Sequence, residues 1–153
     1  MNAIEQATNL KMISKIEAIV YLFKSKFPEA KADLKPWMQN ANTKKYQDEN
    51  SIDIGFHFPN LDFSCQCRSI LMQVKFNQDF RQNKLKAIGI ELSGFEHASP
   101  LWRLSTIADW QFEGGFPPTV RSQEKLKQIC YRIINLFDDS EEIMGLSESK
   151  EES

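Results

Sequence analysis

The sequence predicts a two-layer α+β domain: an antiparallel meander of three to four strands, with N- and C-terminal helices packed on one face. Three observations predict it. From Ser51 to Glu96 apolar and polar residues alternate in strand after strand, the period of a sheet with one buried face. On either side of that block, apolar residues recur every three or four positions, as in helices that cover such a face. The length of 153 residues suits one hydrophobic core, so helices and sheet belong together. The expected organisation is a single domain over 1–145 and an acidic, disordered tail over 146–153.

The first helix opens at Asn2, three residues before Glu5, the spacing of a capping box. Ile13, Ile16, Val20, Phe23 and Phe27 form its apolar stripe and Pro28 ends it. A polar connector follows, which Trp37 is expected to anchor to the body. Ile52, Ile54, Phe56 and Phe58 then alternate with Asp53, Gly55 and His57. At Pro59-Asn60 proline presets one turn position and asparagine tolerates a left-handed second one. A two-residue turn there pairs Phe56 with Phe63 and His57 with Asp62, apolar meeting apolar throughout. The apolar parity shifts between Cys67 and Ile70, which reads as a β-bulge in one long strand. Ile88, Ile90 and Leu92 mark a third strand. Residues 101–108 suit a strand or a short helix, with the strand favoured. The last helix starts near Thr119 or Ser122 and carries Leu126, Ile129, Cys130, Ile133 and Phe137 on one face.

Charge is uneven along the chain. From Asp138 to Ser153 there are seven acids and one lysine, whereas the preceding 137 residues hold 14 acids and 18 bases. Such a tail is expected to be solvated. The longest apolar run, Ala18 to Phe23, is too short to span a bilayer, and no signal-peptide pattern opens the chain. Three cysteines, two of them in Cys65-Gln66-Cys67, make no disulfide framework. They are expected to be small buried hydrophobes in a reducing cytoplasm.

Few residues suggest chemistry. His57 opposite Asp62 would orient an imidazole as a general base, but no strained nucleophile turn accompanies the pair. His97 and His57 are the only histidines and cannot by themselves make a metal site. Gly114-Gly115 lacks the lysine and hydroxyl of a phosphate loop, so no metal and no cofactor is expected. Lys75, Arg81, Lys84 and Lys86 around Phe80 could meet RNA, yet the weakly basic body and the lack of any nucleic-acid module speak against it. The segment containing Trp102, Trp110, Phe112, Phe116 and Pro117 is the richest in aromatic and proline residues, well suited to a protein partner or a second copy. The expectation is therefore a small cytoplasmic, chaperone-like binding or assembly module without catalytic activity.

Overall fold

The computed structural model describes residues 1–37, 50–77 and 87–138. Two helices open the chain, α1 (Ala3–Gln6) and α2 (Leu10–Lys26). Six strands follow among the described residues: β1 (Lys31–Asp33), β2 (Ser51–Asp62), β3 (Cys67–Phe76), β4 (Ala87–Glu96), β5 (Ser99–Ser105) and β6 (Phe112–Glu113). Helix α3 (Val120–Leu136) closes the core. The strands form one antiparallel sheet in sequence order, each paired with the next. The class is the expected α+β, but three to four strands was an undercount. β1 and β6 are three and two residues long, too short for a period-two pattern to register.

The even-numbered residues of β2 and β3 face the helices. Ile52, Ile54, Phe56, Ile70, Met72 and Val74 are fully buried. The Phe23 ring of α2 stacks on Phe56 with centroids 3.8 Å apart, and Phe27 meets Phe58 edge-on. Helix α3 presents Leu126, Ile129, Cys130 and Ile133, and Phe137 follows as its C-terminal cap, all buried as their spacing implies. Its start is capped by Thr119, whose hydroxyl accepts from the Ser122 N–H. At the other end of the chain, the first helical stretch is broken. Asn2 does reach Glu5, Nδ2 to Oε1 at 3.0 Å, but α1 stops at Gln6 and Asn9 caps a new helix by accepting from Met12. The buried stripe of α2 is Met12, Ile16, Ile19 and Phe23, and Ile13 is exposed.

The hairpin requires a larger correction. The chain does not reverse at Pro59-Asn60; β2 runs through both to Asp62 and turns at residues 63–66. Phe56 therefore lies opposite Ile70, and His57 opposite Ser69, while Phe63 is 77 % exposed. The Asp62 carboxylate makes the turn: its Oδ1 accepts from Ser64 Oγ at 2.7 Å and from the Cys65 N–H at 2.9 Å. Gln66 supplies the left-handed residue at φ 55°. Proline is tolerated inside β2 because the β2–β3 register shifts between His57 and Asp62, where no ladder N–H is demanded of it. The parity change between Cys67 and Ile70 lies inside β3, where the β2–β3 register shifts between the His57–Ser69 and Asp62–Cys67 pairs; the residues before it belong to the turn and to β2, so this is not one long strand.

After β4, residues 99–105 form a strand and the helix alternative is not taken. A turn with Trp110 at φ 60° leads into β6. Phe80, Arg81, Lys84 and Lys86 of the basic loop and the tail 146–153 lie outside the described residues.

Candidate functional site

Because side chains alternate across a strand, the odd-numbered residues of β2, β3 and β4 lie on the face opposite α2 and α3. The register sets them in rows. Lys31, His57, Ser69 and Phe95 form one, Asp33, Gly55, Leu71, Ser93 and Arg103 the next, and Asp53, Gln73, Glu91 and Ser105 a third. Leu71, Gln73, Ser93 and Phe95 are half-buried and occupy the middle. On the β1 side the segment after β1 folds over the face. Pro36 comes against Gly55, where an added Cβ would lie 3.4 Å from its own Cβ. Beside it, the Trp37 indole N–H donates to Asp53 Oδ2 at 2.5 Å. Asp53 is fully buried and also receives Ser51 Oγ at 2.8 Å and the Met1 ammonium at 3.1 Å. The far margin is bounded by Ile107, which crosses Gly89.

Glu91 links three strands across this face. It pairs with Lys75 of β3 at 3.0 Å and with Arg103 of β5. Burial alone would raise its carboxyl, but the Lys75 ammonium and Arg103 guanidinium outweigh burial and hold it below the ordinary 4.5. A depressed acid stabilises the fold above its unfolded value and loses that contribution as pH falls through the folded one. Glu91→Gln is therefore expected to cost about 1 kcal/mol at pH 7, with the gap from wild type closing below about pH 4.5. Urea melts of both proteins across pH 3–7 test this, and a gap that widens on acidification would contradict it. Lys75 is thus committed to an ion pair and is not a free cation of the basic loop.

His57 and Asp62 are not brought together, since Asp62 caps the turn and pairs with Cys67. His57 instead lies between two other residues. Its Nε2 is 3.1 Å from Asp33 Oδ2 and its Nδ1 is 2.8 Å from Ser69 Oγ. Neither partner was legible, because Asp33 belongs to a strand too short to see and Ser69 faces His57 only in the true register.

The aromatic-proline segment divides. Trp102 is core, 2 % exposed, with its indole N–H donating to the Cys65 carbonyl at 2.7 Å. It meets Phe112 edge-on, and Phe112 is half-buried. Trp110 leans on Tyr131 and is also half-buried. Phe116 is 62 % exposed and Pro117 is exposed. The Thr119 N–H donates to the Ser64 carbonyl at 2.8 Å. This bond brings the chain bearing Phe116 and the 75 % exposed Val120 beside the turn bearing Phe63. Trp102 is thus no surface residue, whereas Phe63 and Val120 join this end. Phe63 escaped sequence reasoning because the assumed hairpin buried it.

Other chemistry is constrained. Burial pushes the Cys65 thiol up to about 12, with Asp62 adding to the effect, and pushes Cys130 to about 12 and Cys67 higher still. These thiols stay protonated near neutrality and are poor nucleophiles. Among the described residues no group of three or more His, Cys, Asp or Glu could hold a metal ion, and no helix is long and apolar enough to cross a membrane. A pocket of about 50 Å³ lined by Arg103, Ser105, Asp109, Gln111 and Glu113 has room for a few waters but not a metabolite.

Fold and faces together define a small α+β module with one sheet surface covered by α2 and α3 and the other, among the described residues, covered in part by Pro36 and Trp37. One protein-family model, described as a domain of unknown function, matches residues 4–139, and the chain belongs to that family. No curated protein and no solved structure matches the chain.

Proposed function

We propose that the protein is a binding or assembly module, working in a reducing cytoplasm, that engages a protein partner or a second copy of itself. It does so through the sheet face opposite α2 and α3 and the end of the molecule that carries Phe63, Phe116, Pro117 and Val120. The observation that carries this reading is the exposure of Phe63, Phe116 and Val120 at 77 %, 62 % and 75 % on segments tied by the Thr119–Ser64 bond. Apolar side chains gathered at one end favour protein contact, and aromatic anchors dominate such contacts. Pro117 limits the entropy that the segment loses on binding. Three unpaired buried thiols are consistent with a reducing compartment.

The test compares wild type with the double variant Phe63→Ser, Phe116→Ser in sedimentation equilibrium and in pull-downs from an extract of the source organism. The expected result is an association weakened by about tenfold or more, with an unchanged melting temperature because both side chains are exposed. Equal association of the two proteins would refute this reading.

A further inference from the structure

We propose that Ser69 is an activated nucleophile that takes an acyl group from an activated ester, with His57 as its base and Asp33 as the residue that positions the base. The three side chains come from β3, β2 and β1, so the sheet itself holds them in register. A carboxylate can only accept, so His57 carries its proton on Nε2 and directs it to Asp33 Oδ2 at 3.1 Å. In the neutral imidazole this leaves the Nδ1 lone pair to accept from the Ser69 hydroxyl at 2.8 Å. Nucleophile bonded to base, and base bonded to an orienting acid, is the arrangement that activates serine on unrelated folds.

The surroundings favour this geometry. Asp33 Oδ1 accepts from the Lys35 N–H at 2.9 Å, which aims Oδ2 at the ring. The imidazole reaches Asp33 across Gly55, where a Cβ would lie 3.3 Å from His57 Nε2. The His57 and Asp33 side chains are 48 % and 37 % exposed, so a substrate can approach. Leu71, two residues along β3, and Phe95, the cross-strand partner of Ser69, give an apolar floor for a short acyl chain.

As Ser69 Oγ bonds to the acyl carbon, His57 Nδ1 takes the hydroxyl proton. The bond to the leaving alcohol then breaks, and that alcohol receives the proton from His57. Water can free the acyl group by the same route, giving its proton to Nδ1 and its oxygen to the acyl carbon before Ser69 recovers the proton.

The test treats the full chain with p-nitrophenyl acetate and locates acetyl groups by peptide mass spectrometry. The expected result is acetyl-Ser69 in wild type, formed about a hundredfold more slowly in His57→Ala and partly restored there by added imidazole. Asp33→Asn should slow labelling, and Asp33→Glu should recover part of the rate. Acetyl groups found only on lysines or the N-terminus, or Ser69 labelled equally fast in His57→Ala, would overturn the proposal. Labelling needs no partner, so its failure leaves the binding function standing.

Discussion

Replacing Trp102 with alanine is expected to destabilise the fold by about 3–5 kcal/mol, the range for a fully buried large aromatic. The indole is 2 % exposed and packs directly on Gly94, where an added Cβ would lie 2.3 Å from the ring. Two losses combine in the variant. A cavity opens between β4, β5 and β6, and the Cys65 carbonyl inside the β2–β3 turn loses its donor at 2.7 Å. Trp102→Phe should recover the packing but not the hydrogen bond, and so fall between the two. Urea denaturation measures the series. A cost below about 1 kcal/mol for Trp102→Ala would mean that the ring is not a core element.

Asp53→Ala is expected to cost about 3 kcal/mol, because removing the buried carboxylate leaves the donors that converge on it without their acceptor. Asp53 is fully buried and collects the Trp37 indole N–H, the Ser51 hydroxyl and the Met1 ammonium. Trp37→Phe removes a donor but leaves Asp53 its remaining partners, so it should cost less. Combining the two substitutions tests the link. The double variant should be more stable than the sum of the single effects predicts, by about 1 kcal/mol. Strict additivity would show that Trp37 and Asp53 act independently.

Strong periodicity is what made parts of this fold legible. Ile52 to Phe58 and Leu126 to Phe137 each expose one apolar face, and both faces lie in the core. Turn chemistry was less transparent. Pro59-Asn60 has the composition of a turn, yet the chain reverses four residues later, where an Asp62 side chain and a left-handed Gln66 replace the usual glycine. That shift relocates every cross-strand partner of β2. His57 therefore lies beside Asp33 rather than Asp62, and Phe63 was assigned to the wrong side. The aromatic segment misled for a related reason: Trp102 and Phe116 look alike in composition, and only the glycine opposite Trp102 decides that one is core.

The strictly sequential order of the strands also bears on synthesis. Each strand pairs with the one made just before it, so the sheet can grow at the ribosome by local hairpin closure, with little search for distant partners. Its covering does not keep pace. Helix α2 and its C-terminal cap Phe27 are available early and lie over Phe56 and Phe58, but the side near β4 waits for α3 and the core residue Phe137 that caps it. For the time needed to translate β5 through α3, a nascent sheet carries uncovered Ile90, Leu92 and Leu104, a surface that holding chaperones recognise and that penalises any pause in that interval.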